Sequence, residues 1–271
     1  MVPKIKLNDG NEIPQIGLGL WEVKDKSEFD TAFKTANKAG YTHFDTAQSY
    51  GNELFFGQVL QQVNIKRRDI WITTKIDVKH FGHEHTLKSF DKSLEKLQTD
   101  YVDLLLLHFP VSVLRKRSWQ ALEEIQATGR AKSIGVSNYT VRHLKELAKY
   151  SKVTPAINQV ELHVFLQQPE LLDYCRANDI AVEAYSPLAH ARDMNDPVVA
   201  EIAKKYSKSY AQIMLRWCLQ KDLIILPKSI TPSRIKENID ILDFEISKED
   251  LRQLAKLDKG LRTCWDPTNI P

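Results

Sequence analysis

The sequence predicts an α/β fold, a (β/α)8 TIM barrel, formed by a single domain over residues 1–271. Eight short apolar runs alternate with amphipathic stretches of helical period, as in parallel strands joined by crossover helices. Runs such as VDLLLLH (102–108) lack polar alternation, which indicates strands buried on both faces. An open doubly wound sheet is the alternative, but the nearest match to its GxGxxG loop, at 17–22, lacks the third glycine.

The predicted elements follow one another from the N-terminus. An N-terminal β-hairpin opens the chain, with Asp9 and Gly10 at its turn, and an extra C-terminal helix is expected at the other end. The predicted strands are residues 15–19, 41–45, 70–75, 102–108, 133–137, 157–161, 180–185 and 223–227. The predicted helices are residues 27–39, 53–63, 84–97, 118–128, 140–150, 168–178 and 209–220. Residues 187–197 are predicted to be a loop inside the domain.

Composition limits the classes of function. The chain has 271 residues, 42% hydrophobic and 27% charged, which is typical of globular proteins. A net charge of +3 without a long basic run gives no support to nucleic-acid binding. No apolar run approaches the roughly 20 residues of a membrane span, and no signal peptide is visible. Three distant cysteines without a CxxC motif favour reduced thiols and a cytoplasmic location.

Polar side chains end three consecutive predicted strands. Asp45, Lys75 and His108 stand at these ends, and Tyr50 follows Asp45 in a turn that Gly51 favours. Each residue alone is more often a solvated or capping side chain. In a barrel, however, the C-terminal ends of the strands form the face that carries the chemistry. The four side chains are therefore predicted to form one catalytic group.

Separated motifs resemble those of a known family. GYTHFDTAQSYGNELFFG (40–57) is similar to the aldo-keto reductase signature, with Thr42 in place of the usual arginine. Further matching segments, in sequence order, are IGVSNY (134–139), INQVELH (157–163), AYSPLA (184–189) and ILPKSITPSRIKEN (225–238). The resemblance implies a metal-free, often monomeric barrel that reduces carbonyl compounds with NADPH.

The resemblance also implies a role for each member of the catalytic group. Tyr50 would be the general acid that protonates the developing alkoxide. An unperturbed tyrosine has a pKa near ~10, and the Lys75 ammonium is expected to lower it. Asp45 would pair with Lys75, and His108 would orient the carbonyl oxygen by a hydrogen bond.

Cofactor-binding roles are implied for positions along the whole chain. They are Gly19, Leu20, Trp21, Ser137, Asn138, Gln159, Tyr185, Ser186, Leu188, Lys228, Ser229, Arg234, Glu237 and Asn238. Tyr185 would stack on the nicotinamide ring, and Lys228 and Arg234 would bind the adenosine 2′-phosphate. Because a guanidinium fork and an ammonium suit a phosphate, whereas NAD sites commonly carry an acid, NADPH is the expected cofactor.

The substrate-binding prediction comes from aromatic and polar residues near the catalytic group. Trp21 and Phe109 are expected to form walls beside His108. Many relatives carry a tryptophan where this chain has Asp77, and a threonine where it has Leu20. Asp77 is expected to admit a polar or cationic substrate group. The expected partners are small aldehydes, ketones, α-dicarbonyls or keto-sugars.

Two other functional classes stay as alternatives, and the histidines raise the question of a metal site. A non-catalytic, NADPH-binding regulatory or structural protein would not need the complete catalytic group. A barrel lyase or isomerase with a phosphate site would be expected to carry a glycine-rich loop after its late strands. The histidines of HFGHEH (80–85) do not have the HExxH spacing of a zinc site, so no metal is predicted.

Overall fold

In the computed structural model, which describes residues 2–192 and 195–271, parallel strands follow one another around a barrel. They are β3 (Leu18–Gly19), β4 (His43–Asp45), β5 (Trp71–Ile76), β6 (Val102–Leu107), β7 (Ala131–Ser137), β8 (Ile157–Glu161), β9 (Ala181–Tyr185) and β10 (Ile224–Leu226), after the hairpin strands β1 (Lys4–Lys6) and β2 (Glu12–Pro14). Each barrel strand pairs in parallel with the next, and bridges from Ile16 to Ile225 and from Gly19 to Lys228 close the ring. The predicted (β/α)8 fold is confirmed.

Helices surround the strands. They are α1 (Lys26–Ala39), α2 (Glu53–Gln62), α3 (His83–Leu97), α4 (Arg115–Ala127), α5 (Val141–Leu147), α6 (Pro169–Ala177), α7 (Pro197–Tyr206), α8 (Tyr210–Leu219), α9 (Pro232–Ile239) and α10 (Lys248–Ala255). Local sequence explains their ends; for α1, the Asp25 side chain accepts a hydrogen bond from the Glu28 amide, and Gly40 adopts a left-handed φ of 100°. The seven predicted helices differ from the observed ones by a few residues at their ends. The expected extra C-terminal helix is α10.

The loop predicted at residues 187–197 holds more structure than expected. Its first part contains a short 3-10 turn at Ala189–Ala191, and residues 193 and 194 lie outside the described part of the chain. Pro197 begins α7, and the Asp196 side chain accepts hydrogen bonds from Val198 and Val199. Proline at the first helical position needs no amide partner, so the residue that suggested a loop starts a helix.

The hairpin closes the N-terminal end of the barrel. Leu7 and Ile13 pack in an apolar cluster with first residues of three barrel strands, among them Trp71 and Ile224. A larger apolar layer lies between the strands and the surrounding helices; in it Phe33 stacks on Phe44 with ring centroids 4.4 Å apart. Apolar burial thus fills the lower barrel and its outside, which leaves the C-terminal strand ends for polar residues.

Among the described residues, no helix combines the length and apolar character that crossing a membrane requires.

Candidate active site

Lys75 lies at the centre of the predicted catalytic group. Its side chain is fully buried, and its Nζ donates to Asp45 Oδ1 at 2.6 Å, to the Thr46 carbonyl at 3.1 Å and to Tyr50 Oη at 3.1 Å. An ammonium has three hydrogens, and all three are used by these contacts. The sequence prediction that these side chains meet at one rim therefore agrees with the geometry.

A short turn places Tyr50 over Lys75. The strand β4 ends at Asp45, and a 3-10 turn at Gln48–Tyr50 follows, ended by Gly51 with a φ of 72°. Gln48 fastens this turn to the next βα loop, because its Oε1 accepts from the Asp77 amide at 2.9 Å. Glycine adopts a left-handed φ without the steric cost of a Cβ, so Gly51 lets the chain turn sharply beside the phenol.

The pKa of Tyr50 differs in direction from the sequence expectation. Burial raises the pKa of Tyr50 to about 12, and the nearby Lys75 ammonium opposes this shift without cancelling it. Lys75 acts in the expected direction, but the net pKa of Tyr50 is raised in the free protein, because a sequence shows the cation but not the extent of desolvation. Tyr50 is therefore fully protonated at neutral pH.

The Asp45–Lys75 pair carries its charges in a water-excluded interior. Burial raises the pKa of Asp45, and the Lys75 charge opposes that rise. Burial acts to lower the pKa of Lys75, but the attraction of Asp45 outweighs it, so the pKa of Lys75 is raised. Because the ammonium stays charged, the pair is an ion pair that each partner needs.

His108 faces the phenol across the cavity mouth. Its ring lies 5.7 Å from the Tyr50 ring in an edge-to-face arrangement, and its Nδ1 is 3.3 Å from Ser49 Oγ. Burial lowers the pKa of His108 to about 3, and the Lys75 charge adds to the effect. The imidazole is therefore neutral, and when Ser49 Oγ donates to Nδ1 the ring proton lies on Nε2.

A cavity of about 700 Å³ extends from this group across the C-terminal face of the barrel. The predicted site residues that line it are Gly19, Trp21, Asp45, Tyr50, His108, Ser137, Asn138, Gln159, Tyr185, Ser186, Leu188, Lys228, Ser229, Arg234, Glu237 and Asn238. Lys75 lies beneath its floor and does not line it. The catalytic group and the predicted cofactor residues thus share one continuous space.

Hydrogen bonds fix the side chains near the catalytic end of the cavity. Tyr185 Oη donates to Asn138 Oδ1 at 2.7 Å, and Asn138 Nδ2 donates to the His108 carbonyl at 3.1 Å. Gln159 Nε2 donates to Asp45 Oδ2 at 2.9 Å and also to Glu183 Oε2 at 2.6 Å. Because both amide hydrogens of Gln159 are used, its Oε1 is the atom left to accept a hydrogen bond from a ligand amide.

The opposite end of the cavity suits a phosphate. Lys228 and Arg234 are exposed there, and neither has an ion-pair partner within residues 2–192 and 195–271. Arg234 lies in the first turn of α9, where backbone amides point outward and favour an anion. Ser229 adds a hydroxyl beside them. A cation pair at a helix start is the donor set that the resemblance implied for the 2′-phosphate.

Besides Lys75, three predicted site residues do not line the cavity. Leu20 is fully buried in the apolar core, with its amide donating to the Asp45 carbonyl at 3.0 Å. Asp77 caps a 3-10 turn by accepting from the Lys79 amide at 3.1 Å, and it pairs with the Lys79 ammonium. Phe109 is half-buried outside the lining. In the structure, Leu20 acts as a core residue and Asp77 as a turn cap.

The sequence prediction missed a second aromatic wall from the C-terminal segment. Trp265 lies edge-on to Trp21 with ring centroids 6.2 Å apart, and His190 lies 5.3 Å from the Trp21 ring. Glu161 holds this segment by accepting hydrogen bonds from the Thr263 amide and hydroxyl. An isolated tryptophan in a polar tail was the only signal for this wall, and its contact with Trp21 is not readable from the sequence.

Metal-ligating side chains do not cluster in the part of the chain that the structure describes, where no group of three or more could hold an ion. His83 of the HFGHEH stretch contacts Glu124 at 3.0 Å on the surface. His80 instead contacts the Gln48 side chain at 2.9 Å.

Comparisons with known proteins agree with this geometry. The model of the aldo/keto reductase family matches residues 15–259. The chain is 42% identical to glyoxal reductase of Bacillus subtilis, covering 98% of this chain and 96% of that protein. It is also 42% identical to methylglyoxal reductase DkgA of Escherichia coli, with 97% and 96% covered.

Solved structures give the same result. An aldo-keto reductase of Bombyx mori, solved in complex with NADP, superposes with a TM-score of 0.91 at 33% identity, covering 97% of this chain and 94% of that one. The family match over most of the chain, the shared barrel and the catalytic group lead to one conclusion: this chain belongs to the aldo/keto reductase family of oxidoreductases.

Proposed function

We propose that this protein reduces small aldehydes, ketones and α-dicarbonyls to alcohols with NADPH, with Tyr50 as the general acid. The observation that carries the proposal is the contact of one buried ammonium, Lys75 Nζ, with both Asp45 Oδ1 and Tyr50 Oη at the cavity floor. When bound, NADPH supplies the hydride. The residues of the chain then have to bind the carbonyl, orient it and deliver a proton.

Proton delivery falls to Tyr50. Its phenol lines the cavity, and its burial keeps it protonated at neutral pH. As negative charge develops on the carbonyl oxygen, the phenol proton moves to that oxygen, and the Lys75 ammonium stabilises the phenolate that remains. Asp45 keeps Lys75 in position for this step.

Orientation of the carbonyl falls to His108. The neutral ring carries its proton on Nε2 when Nδ1 accepts from Ser49. Nε2 can then donate to the same carbonyl oxygen that Tyr50 protonates. Two donors aimed at one oxygen stabilise the charge that develops there more than they stabilise the ground state.

The choice of NADPH over NADH rests on the cation pair at the far end of the cavity. Lys228 and Arg234 offer charge-assisted hydrogen bonds that only a 2′-phosphate would use. A nicotinamide end is provided by Tyr185 and by Gln159 Oε1. The B. mori relative solved with NADP supports a nicotinamide cofactor of this kind.

The preference for α-dicarbonyls is supported by the two curated relatives, named for glyoxal and methylglyoxal reduction. Small substrates also fit a mouth narrowed by Trp21 and Trp265. Asp77 gives this preference no support, because its carboxylate caps a turn and does not line the cavity.

A substrate panel tests the reaction. Purified protein with NADPH is mixed with glyoxal, methylglyoxal, simple aldehydes and keto-sugars, and the loss of nicotinamide absorbance is followed. Tyr50→Phe is expected to lower kcat at least about 100-fold, and Tyr174→Phe, on α6 outside the cavity, is the matched control. Binding of NADPH without turnover of any carbonyl would favour the non-catalytic alternative.

Cofactor choice is tested by removing the cation pair. The double variant Lys228→Ala, Arg234→Ala is expected to weaken NADPH binding at least about tenfold more than NADH binding. Lys236→Ala is the matched control, since Lys236 lies on the same helix outside the cavity lining. Equal losses for the two cofactors would overturn the 2′-phosphate assignment.

A further inference from the structure

A second carboxyl group lies inside the barrel directly below the catalytic ion pair. Glu183, on β9, is fully buried, and the proposed chemistry does not use it. The side-chain amide of Gln159 bridges the two acids, donating to Glu183 Oε2 at 2.6 Å and to Asp45 Oδ2 at 2.9 Å. Two carboxyl groups therefore share one amide in a space without water access.

The tautomer of His43 fixes the hydrogen-bond directions on the other side of Glu183. His43 Nδ1 lies 3.1 Å from the Pro14 carbonyl, which only accepts, so Nδ1 carries the proton. Burial lowers the pKa of His43 to about 4, so the ring is neutral and its Nε2 is an acceptor. Close packing holds the ring in place, since a Cβ at Gly17 would lie 2.7 Å from Nδ1.

Glu183 Oε1 faces this acceptor. It lies 3.4 Å from His43 Nε2 and has no other hydrogen-bond partner in the described part of the chain. A carboxylate oxygen at this place would face a lone pair and receive no donor. A carboxylic acid hydroxyl would instead donate to Nε2, which also lies 3.3 Å from Thr73 Oγ1, and Glu183 Oε1 would then have a hydrogen-bond partner.

The charges around Glu183 in the barrel interior also indicate that Glu183 is protonated. Lys75 is the one cation that the described residues place beside these acids, and its three hydrogens go to Asp45, Thr46 and Tyr50. Asp103 on β6, a buried acid whose charge acts on His43, is matched by Arg67 at 2.7 Å and Lys132 at 2.8 Å. A second carboxylate beside Asp45 would therefore have no countercharge.

We propose that Glu183 is a positioning residue held as a neutral carboxylic acid, which donates to His43 and lets Gln159 bridge to Asp45 so that Lys75 faces a single anion. The acid group keeps the Asp45–Lys75–Tyr50 contacts in register without adding charge. This inference rests on the proposed carbonyl reduction through Tyr50.

Loss of this proton to solvent has a definite effect on the catalytic group. Burial chiefly, with the Asp45 charge, raises the pKa of Glu183 to about 8, so deprotonation falls within the range of an ordinary assay. The charge of a Glu183 carboxylate acts to raise the pKa of Tyr50, and the carboxylate competes with Asp45 for Gln159. The phenol then becomes a weaker acid, and reduction slows.

The first experiment measures kcat against pH at saturating carbonyl and NADPH in wild type and in Glu183→Gln. The glutamine keeps both hydrogen bonds, with its amide donating to His43 and its oxygen accepting from Gln159. Wild-type kcat is expected to fall about tenfold or more between pH 7 and 10, since one pKa unit of perturbation is a factor of ten. Glu183→Gln is expected to keep kcat within about twofold at pH 7 and to lack this transition.

The same alkaline transition in Glu183→Gln would overturn the positioning role. So would a kcat at pH 7 that falls about 100-fold in this isosteric variant while its KM and its unfolding curve stay normal.

An infrared measurement tests the protonation state without any turnover. A protonated carboxylic acid has a carbonyl-stretching band that a carboxylate lacks, and wild type is expected to show one that disappears with a midpoint near pH 8. Glu183→Gln is expected to lose this band. Glu161→Gln is the control, because hydrogen bonds from His163 and Thr263 outweigh burial and lower the pKa of the Glu161 carboxyl.

The wild-type spectrum can overturn the inference even if the variant does not fold. Absence of the band at pH 7 overturns the inference whatever the activity. A band that titrates as expected, in a protein that reduces no carbonyl, supports the neutral acid and separates it from a failure of the proposed function.

Discussion

Replacing Lys75 is the sharpest test of the idea that one cation serves both stability and chemistry. Lys75→Met leaves the Asp45 carboxylate, 4% exposed at its side chain, without its 2.6 Å partner. Breaking a buried ion pair by removing one partner costs about 3–5 kcal/mol of unfolding free energy, since the other charge stays desolvated. Asp45→Asn leaves the Lys75 ammonium buried without its partner charge, and a similar cost in unfolding free energy is expected.

The double variant Lys75→Met, Asp45→Asn removes both charges. Its loss of unfolding free energy is expected to be about 2 kcal/mol, well below the sum of the single losses. Urea unfolding followed by tryptophan fluorescence measures each value, with unchanged m-values as the condition for comparison. All three variants are expected to lose at least about 100-fold in kcat, because Tyr50 has lost its cation or that cation has lost its position.

Two outcomes would refute this reasoning. If the single losses in stability add up in the double variant, Asp45 and Lys75 are not coupled as an ion pair. If the double variant regains turnover together with stability, Lys75 acts on activity only through the fold, and its contact with Tyr50 is not chemical.

The remaining predictions concern the barrel interior and the cavity mouth. Because burial raises the pKa of Glu183 from 4.5 to about 8, its stabilising contribution is full below pH 4.5 and is lost as pH rises through 8. Between pH 6.5 and 8, wild type should lose about 2 kcal/mol of unfolding free energy relative to Glu183→Gln, since both proteins contain His43 and differ at position 183; parallel slopes in urea titrations would contradict this. Asp103→Asn should lower the unfolding free energy in urea by about 3 kcal/mol and leave kcat unchanged, because it weakens the contacts of Asp103 with the Ile72 amide, Arg67 and Lys132. An altered kcat would argue against a purely structural role of Asp103. Trp265→Ala should raise the KM for the carbonyl up to about tenfold without changing NADPH affinity in a fluorescence titration; an unchanged KM would remove Trp265 from the mouth.

The fold could be predicted from the sequence because its signals are local and repeated. Continuous apolar runs such as β6 (Val102–Leu107) and amphipathic stretches such as α3 (His83–Leu97) each carry their own period. The helix α7 was missed because Asp196 and Pro197 signal a loop and a helix start equally well. Its apolar face against the core is visible only in three dimensions.

The catalytic group could be predicted in part for a different reason. Strand ends meet at one face of a barrel by topology, so Asp45 and Lys75 were placed together without any side-chain geometry. Contacts across the barrel could not be predicted in this way. Gln159 and Asp45 are 114 positions apart, and nothing in either segment shows that Gln159 also donates to Glu183. Within its strand Glu183 is only one acidic residue among apolar neighbours.

The raised pKa of Tyr50 at first argues against a general acid, because a phenol with a pKa of about 12 gives up its proton reluctantly. Whether the phenol gives up its proton depends on the acceptor. In carbonyl reduction that acceptor is an alkoxide, which is a stronger base than a phenolate even at this pKa, so the transfer remains favourable. Alcohol oxidation needs the phenolate from the start, and burial disfavours it in the free protein. Burial, which outweighs the opposing charge of Lys75, therefore keeps Tyr50 protonated at neutral pH, the state that reduction requires.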